Sequence, residues 1–245
     1  MKVFVIVPAA GLGTRMAPLS TAKARKKSLT KQFKELGGVP ILVRTLRKFA
    51  ATPAVYEIVV ALRKDEIAAF RTQIEKQFPE ILSKRLQIVE GGEHRQNSVA
   101  NALGAVAADH DDIILVHDAV RPFVTPEIIS DVTNAAQKHG AAIAGWPAVD
   151  TVKQVDRTAT GALITATIPR EGVVMAQTPQ GFRYGILRKA FDEATADGFL
   201  GTDEASLIER AGRLVAVVMG SPRNIKITTP ADMELAEFYL KSSGE

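Results

Sequence analysis

Near the start of the chain, a run of small residues is followed by basic residues, an order that suits phosphate binding. Pro8-Ala9-Ala10-Gly11-Leu12-Gly13-Thr14-Arg15-Met16 directly follows an apolar run. Small side chains let backbone N–H groups approach an anion closely and surround it. The segment is not a dinucleotide fingerprint, since Met16 takes the third glycine position, and no Gly-Lys-Ser/Thr follows as in a P-loop. An ordinary tight turn is the alternative, but Arg15 and the basic run behind it favour phosphate.

The basic run itself has three interpretations. Its members, which lie between Lys23 and Lys34, are Lys23, Arg25, Lys26, Lys27, Lys31 and Lys34. It could be a solvated loop, a nucleic-acid patch or a loop that closes over a polyphosphate. Aromatic residues make up only 6% of the chain, so nucleic-acid binding by base stacking is the weaker option. We therefore expect no nucleic-acid partner, and the neighbouring small-residue loop favours the polyphosphate.

Two further segments carry groups that suit a nucleotide and a phosphate. In Gly91-Gly92-Glu93-His94-Arg95-Gln96-Asn97-Ser98, the glycines let the backbone face a flat base, although a plain helix-capping turn has the same pattern. A carbonyl acceptor there would select the amino group of cytosine over the carbonyl of uracil. In His117-Asp118-Ala119-Val120-Arg121-Pro122, a carboxylate can bind sugar hydroxyls or lie near Mg²⁺, and an arginine can grip phosphate. A salt-bridged loop is the alternative, and His117 is interpreted as a packed or capping residue rather than a base.

The elements that position these segments alternate between strand and helix. Short aliphatic runs predict buried strands, and the segments between them have helical spacing. The predicted strands are Val3–Val7, Ile58–Ala61, Leu86–Val89, Ile113–Val116 and Ala141–Ala144, and the helices Ile41–Ala50, Glu66–Gln77, Asn97–Ala107 and Pro126–His139. This order predicts a mostly parallel sheet covered on both faces, with ligands beyond the carboxyl ends of its strands.

Residues 149–170 interrupt that alternation. Val152–Val155 and Leu163–Ile168 are β-prone and flank a turn, which predicts a hairpin. Helices near 184–196, 203–211 and 230–240 and strands at 214–219 and 225–228 complete the prediction, with Thr202-Asp203-Glu204 as a helix cap. We expect one domain, 1–245, in which 149–170 is an extended arm.

Composition excludes several classes of site and location. The chain has no cysteine, so disulfides, thiolate catalysis and cysteine-based zinc sites are excluded. No stretch approaches eighteen consecutive apolar residues, so no membrane association is expected. The expected location is the cytoplasm.

Taken in order, the motifs resemble those of the 2-C-methyl-D-erythritol 4-phosphate cytidylyltransferase family. The likeness runs over nearly the whole chain and includes the segments above together with Lys31-Gln32-Phe33, Asp150-Thr151-Val152-Lys153, Pro169-Arg170, Gln177-Thr178-Pro179-Gln180, Thr202-Asp203-Glu204-Ala205-Ser206 and Asn224-Ile225-Lys226. The resemblance implies an α/β, Rossmann-like three-layer fold with a mostly parallel central sheet and a protruding β-hairpin arm, as in nucleotide-diphospho-sugar transferases. It implies transfer of a cytidylyl group from CTP to 2-C-methyl-D-erythritol 4-phosphate, with release of pyrophosphate, in non-mevalonate isoprenoid precursor synthesis.

The same resemblance assigns roles to individual residues. Arg15 and Lys31 stabilise the transition state on the triphosphate, and Arg170 and Lys226 position the acceptor phosphate. The CTP-binding set is Pro8, Ala9, Ala10, Gly11, Gly13, Gly92, Glu93, Ser98, Asp118 and Ala119. The acceptor-binding set is Asp118, Arg121, Thr151, Arg170, Thr178 and Lys226. Mg²⁺ is expected to bind mainly through the triphosphate, and no metal ligand from the chain is assigned.

The resemblance also implies a homodimer in which the arm brings Thr151 and Arg170 into the opposite subunit's site. Two departures from the family pattern bear on Lys31: the basic stretch before it is unusually long, and Thr30 replaces a proline. A lysine from Lys23–Lys27 could therefore share its role. Ribitol-5-phosphate cytidylyltransferase remains an alternative activity, and a non-catalytic CTP-binding regulator is an alternative of another class.

Overall fold

A seven-stranded sheet forms the centre of the protein in a computed structural model, which describes residues 1–11 and 30–243. The strands of the sheet are β1 (Val3–Pro8), β4 (Val55–Leu62), β5 (Arg85–Glu90), β6 (Ile113–Val116), β7 (Ala141–Pro147), β10 (Val174–Arg183) and β11 (Ala216–Met219). They are arranged in the order β11-β7-β10-β6-β1-β4-β5. Neighbours pair in parallel, except that β10 runs antiparallel to both β6 and β7. The predicted mostly parallel sheet is confirmed.

Helices cover both faces of this sheet. The helices are α1 (Ile41–Ala50), α2 (Lys64–Gln77), α3 (Arg95–Ala105), α4 (Pro126–His139), α5 (Tyr184–Ala196), α6 (Glu204–Arg210) and α7 (Pro230–Ser243). Val5 and Val7 of β1 pack with α1, α2 and α4, whereas Phe4 and Ile6 pack with α3, α5 and α6. Successive side chains of a strand point to opposite faces, so the continuous apolar run of β1 serves both layers. The three-layer architecture is the predicted one.

Local signals set the limits of α4 as expected. Thr125 accepts a hydrogen bond from the Ile128 N–H through Oγ1, and Pro126 occupies the first turn. Gly140 ends the helix with φ +88°, a conformation that favours glycine. Such caps fix where the helix begins and ends, and hence where β6 and β7 enter the sheet.

A second, separate ribbon corresponds to the predicted arm. Strands β8 (Val152–Thr158) and β9 (Gly161–Ile168) pair antiparallel with each other and, among the described strands, with no others. Leu163 and Ile164 are 66% and 64% exposed. The ribbon therefore presents apolar side chains to its surroundings. Two short strands, β2 (Glu35–Leu36) and β3 (Val39–Pro40), form another small pair.

One predicted strand is wrong, and one observed strand was not predicted. Residues 225–228 do not form a strand; the Ile227 N–H donates to the Val120 carbonyl at 2.9 Å, and Ile227 is fully buried against Ala236 and Leu240 of α7. Conversely, β10 was not predicted, because Pro179 and Gly181 argue against a central strand. The β7–β10 pairing is interrupted between Ala176 and Gln180, which accommodates the proline.

Across residues 1–11 and 30–243, no helix combines the length and the apolar character needed to span a bilayer.

Candidate functional site

The loop after β1 meets the Lys31 segment at the carboxyl edge of the sheet. The Ala9 N–H donates to the Ala61 carbonyl at 2.8 Å, and the buried Gln32 side chain donates to the Ala9 carbonyl at 2.7 Å. Lys31–Phe33 forms a single 3-10 turn. Thr30, which stands where the resemblance predicts proline, donates from Oγ1 to Glu66 Oε1 of α2 at 3.0 Å. Lys31 is therefore held beside the small-residue loop by its neighbours on both sides.

The Gly91–Gly92 turn packs directly against the same loop. A Cβ placed on Gly91 would lie 2.5 Å from Ala10 Cβ and 2.9 Å from Ser98 Oγ, so only glycine fits there. Ser98 Oγ accepts the Gly92 N–H at 3.0 Å and donates to the His94 carbonyl at 3.2 Å. The loop after β1 and the turn after β5 are thus in contact.

Asp118 follows β6 and lies at the centre of a cluster of cations. Its Oδ2 is 2.9 Å from Lys226 Nζ and 3.2 Å from Arg121 Nε, and its Oδ1 is 3.4 Å from Arg95 Nε. Arg121 also donates through Nη1 to the Asn224 carbonyl at 2.6 Å, which holds the segment carrying Lys226 close to β6. Burial alone would raise the pKa of Asp118, but Arg95, Lys226 and Arg121 outweigh it and lower that pKa well below its usual value. The carboxylate therefore stays ionised.

Arg95 connects this cluster to a second buried carboxylate. Its Nη1 lies 2.7 and 2.8 Å from the two carboxylate oxygens of Glu204, the first residue of α6. Burial lowers the pKa of Arg95, but Glu204 and Asp118 outweigh it and raise that pKa. Within the cluster, Arg95, Arg121 and Lys226 meet the carboxylates of Asp118 and Glu204, and the Asp203 carboxylate also acts electrostatically on Arg95.

His117 is fully buried beneath Asp118 and is hydrogen-bonded through both ring nitrogens. Nε2 lies 3.0 Å from the Arg121 carbonyl, which can only accept, so Nε2 carries the proton. Nδ1 then accepts from Thr178 Oγ1 at 3.1 Å, and the same hydroxyl accepts the Asp118 N–H at 3.0 Å. Burial lowers the pKa of His117 to about 4. The interpretation of His117 as a packed residue is confirmed.

Comparison with known proteins then identifies the family. The sequence profile described as 2-C-methyl-D-erythritol 4-phosphate cytidylyltransferase matches residues 3–242. The chain belongs to the 2-C-methyl-D-erythritol 4-phosphate cytidylyltransferase family.

Individual members of the family are similar over nearly their whole length. The 2-C-methyl-D-erythritol 4-phosphate cytidylyltransferase of Acidobacterium capsulatum is 58% identical over 241 residues, which cover 98% of each chain. That of Solibacter usitatus is 52% identical over 98% of this chain and 96% of its own. A crystal structure of the Francisella tularensis cytidylyltransferase is 34% identical, covers 97% of this chain and 99% of that one, and superposes with a TM-score of 0.78. Both the family and the fold expected from the sequence are confirmed.

The structure brings together only part of the family's expected site. Asp118, Arg121, Thr178 and Lys226 form one connected group, with Ala119 buried beside them. Pro8, Ala9, Ala10, Gly11, Gly92 and Ser98 form the second group, with Glu93 exposed at its rim. Arg15, Gly13 and the Lys23–Lys27 stretch lie outside the described residues.

Thr151 and Arg170 lie apart, at the base of the ribbon. Both are exposed, and Arg170 Nη1 donates to the Val149 carbonyl at 2.6 Å. Among the described residues, neither takes part in the ion pairs around Asp118.

Two residues of the cluster were not found from the sequence. Arg95 lies in a quoted family segment but had no role assigned, and Glu204 was interpreted as part of a helix cap. The cap is real, because Asp203 Oδ1 accepts the Ser206 N–H at 3.0 Å. In the sequence, the only signal for Glu204 is an acidic residue directly after a cap residue, because its partner Arg95 lies 109 positions away.

Proposed function

We propose that this chain transfers a cytidylyl group from CTP to 2-C-methyl-D-erythritol 4-phosphate and releases pyrophosphate, the reaction for which its family is named. A phosphate oxygen of the acceptor attacks the α-phosphorus of CTP and forms a P–O bond. The bond between that phosphorus and the bridging oxygen to the β-phosphate breaks, and pyrophosphate leaves with the electron pair. The attacking phosphate is already ionised at neutral pH, so no general base is needed.

The observation that carries the proposal is the cluster of cations around Asp118 at the carboxyl edge of the sheet. Without a base, catalysis depends on alignment of the two substrates and on stabilisation of charge by fixed cations. Lys226 and Arg121, both paired with Asp118, are assigned to the acceptor phosphate. The side chain of Lys226 is 36% exposed, so an incoming phosphate can reach it. Asp118 orients both cations, and its remaining lone pairs can accept hydrogen bonds from polyol or ribose hydroxyls.

CTP is assigned to the surface formed by the loop after β1 and the turn after β5. The glycine at position 91 allows the two segments to touch, and the bond from Gly92 to Ser98 fixes the turn. Backbone groups there would read the amino edge of cytosine. Lys31, held beside the same loop, and Arg15 are assigned to the triphosphate and to the charge that develops on the departing pyrophosphate.

Magnesium enters this proposal with the nucleotide, as the Mg–CTP substrate. Groups of three or more His, Cys, Asp or Glu side chains suited to a metal are absent from the described ranges. Both oxygens of Asp118 already face cations, so this carboxylate is a poor metal ligand. Phosphate oxygens are ligands that Mg²⁺ commonly uses in nucleotide sites.

The arm is assigned to a homodimer whose subunits complete each other's acceptor site. An isolated two-stranded ribbon is only marginally stable in water, yet this ribbon exposes Leu163 and Ile164. Val217 and Met219 of the edge strand β11 and Met175 of β10 are also more than half exposed. A two-fold partner would bury such side chains, and two-fold dimers are the commonest closed assembly. Arg170 would then serve the partner's Lys226 and Asp118 rather than its own.

Subunit mixing tests the proposed arrangement. Arg170→Ala and Lys226→Ala chains are each expected to be nearly inactive alone. In a heterodimer, one site receives Lys226 from one chain and Arg170 from the other, so a statistical mixture should regain roughly a quarter of wild-type activity. Mixing Arg170→Ala with the Arg170→Ala/Lys226→Ala double variant is the matched control and should stay inactive. Inactive heterodimers, verified by native mass spectrometry, would show that Arg170 serves its own chain.

A further inference from the structure

Glu204 is a charged residue that the proposed reaction does not use, although it is among the most deeply buried in the protein. Its side chain is 1% exposed. Both of its carboxylate oxygens face one nitrogen, Arg95 Nη1, at 2.7 and 2.8 Å. A buried carboxylate is costly unless it is paired, and burial raises the pKa of Glu204 while Arg95 opposes that rise. The free-energy cost of burying the Glu204 carboxylate must therefore be offset by its ion pair with Arg95.

The place of Glu204 is fixed by β10, the strand that also holds Thr178. Gln180 Nε2 of β10 donates to Asp203 Oδ2 at 2.7 Å, and Gln180 Oε1 accepts the Ala205 N–H at 3.1 Å. These two bonds attach the residues on either side of Glu204 to the sheet. Glu204 therefore occupies a rigid position relative to Thr178, whose hydroxyl accepts the Asp118 N–H.

Arg95 transmits this fixed position to Asp118. Its Nη1 faces Glu204 and its Nε faces Asp118 Oδ1 at 3.4 Å, so one guanidinium spans the two carboxylates. The other oxygen of Asp118 is shared by Lys226 and Arg121. Asp118 is consequently held from two sides, by Arg95 on Oδ1 and by Lys226 and Arg121 on Oδ2.

We propose that Arg95 and Glu204 are positioning residues for the transfer reaction, which set the orientation of the Asp118 carboxylate and, through it, the position of Lys226 and Arg121. This inference rests on the proposed role of Asp118. Glu204 partly neutralises Arg95, so that Arg95 does not draw Asp118 away from the other two cations. The pair acts through Asp118 and is not assigned a contact with either substrate.

A purely structural ion pair would behave differently from a positioning pair. Replacing both partners of a buried ion pair by hydrophobic residues of similar volume is often neutral for stability, whereas removing one partner leaves an uncompensated buried charge. The double variant Arg95→Met/Glu204→Met should therefore melt close to the wild-type temperature. If the pair positions Asp118, kcat/KM for the acceptor should nevertheless stay about 10- to 100-fold low, because small misplacements of aligned groups are expensive in rate. The Kd for CTP should change much less.

The same double change made in an Asp118→Asn background separates the possible outcomes. A pair that acts only through Asp118 should cost less than about 3-fold further activity there, because contacting residues are non-additive. An equal fold-loss in both backgrounds, or a double variant that recovers melting temperature and kcat/KM together, would overturn the inference. If Asp118→Asn alone keeps wild-type turnover, the proposed role of Asp118 fails before Arg95 is altered, so the two failures are distinguishable.

Two further variants protect the experiment against a folding defect. Arg95→Lys keeps the charge but lacks the fork that spans two carboxylates, so it should fold and still lose acceptor kcat/KM about 10-fold or more. Wild-type kcat/KM in Arg95→Lys would contradict the inference. Arg210→Gln is the matched control, since Arg210 is the last residue of α6, the helix that begins at Glu204, and pairs with the exposed Asp197. It should retain kcat/KM for the acceptor within about 2-fold, as exposed ion pairs contribute little.

Discussion

Lys226 Nζ lies 2.9 Å from Oδ2 of Asp118, so this cation already has a partner when no phosphate is bound. Arg121 shares the same oxygen. An acceptor phosphate must therefore compete with or join a carboxylate that orients both cations. This arrangement keeps them aimed at one point at the carboxyl edge of the sheet, where the loop after β1 also begins.

Removal of Lys226 should affect the acceptor more than the nucleotide. A hydrogen bond to a charged group contributes about 1.5–3 kcal/mol, so Lys226→Ala should raise the KM for 2-C-methyl-D-erythritol 4-phosphate roughly 10- to 100-fold. The Kd for CTP, measured by calorimetry, should change little. Lys241→Ala, an exposed lysine on α7, is the control. Equal losses for both substrates would place Lys226 with the triphosphate instead.

His117 should make the stability of the fold depend on pH. Burial lowers its pKa from the usual 6.5 to about 4, so below pH 6.5 the unfolded chain binds the proton more readily than the folded one. Stability attributable to this residue should be complete above pH 6.5 and fall progressively down to about pH 4. The expected loss between pH 7 and pH 5 is roughly 2 kcal/mol.

Urea unfolding at pH 7 and pH 5 measures that loss. In His117→Gln the pH-dependent part assigned to His117 should disappear, whereas His110→Gln should keep it, because His110 is exposed. An unchanged pH dependence in His117→Gln would show that the imidazole is not the group responsible.

Gly91→Ala should disrupt the surface assigned to CTP. The new methyl group would lie 2.5 Å from Ala10 Cβ, so the loop after β1 and the turn after β5 must separate. We expect a roughly 5- to 150-fold weaker Kd for CTP, since an overpacked site costs roughly 1–3 kcal/mol.

Gly104→Ala is the matched control for this substitution. Gly104 lies inside α3 with no heavy atom within 4 Å of an added Cβ, so alanine should stabilise the protein by about 0.5–1 kcal/mol and leave CTP binding unchanged. Normal CTP binding by Gly91→Ala would contradict the assignment of this surface.

Sequence reasoning assigned the candidate site to the carboxyl edge of the sheet because the signals it used are local. Short aliphatic runs identify the parallel strands, and in such sheets ligands lie beyond the carboxyl ends, where Gly91 and Asp118 are found. The continuous apolar run of β1 and the cap of α4 at Thr125 likewise needed no tertiary information.

What sequence reasoning missed depends on contacts between distant segments. Strand β10 contains Pro179, which local propensity excludes from a central strand, yet the interruption in pairing with β7 accommodates it. The pair of Arg95 with Glu204 joins residues 109 positions apart. The apolar Ile227 was predicted to lie in a strand, but it lies outside the sheet and packs against Ala236 and Leu240 of α7.

Lys31→Ala should reduce turnover more than CTP binding. Loss of a fixed donor to a developing charge costs roughly 2.7–4 kcal/mol, or about 10²–10³ in kcat. Rapid-quench turnover and CTP calorimetry would separate the two effects. Alanine variants of Lys23, Lys26 and Lys27 should each lose much less. A fully active Lys31→Ala beside an inactive variant of one of those three would assign the role to the preceding basic stretch.

The most direct test of the account is pyrophosphate release by the wild-type protein across a panel of nucleotides and acceptors. With Mg²⁺, CTP and 2-C-methyl-D-erythritol 4-phosphate, we expect rapid release, abolished by removal of Mg²⁺ with chelator. UTP, ATP and GTP should give far less, because the Gly91–Ser98 turn is assigned to cytosine. Ribitol 5-phosphate should be a poor acceptor. Equal use of UTP, or faster turnover of ribitol 5-phosphate, would contradict the proposed reaction.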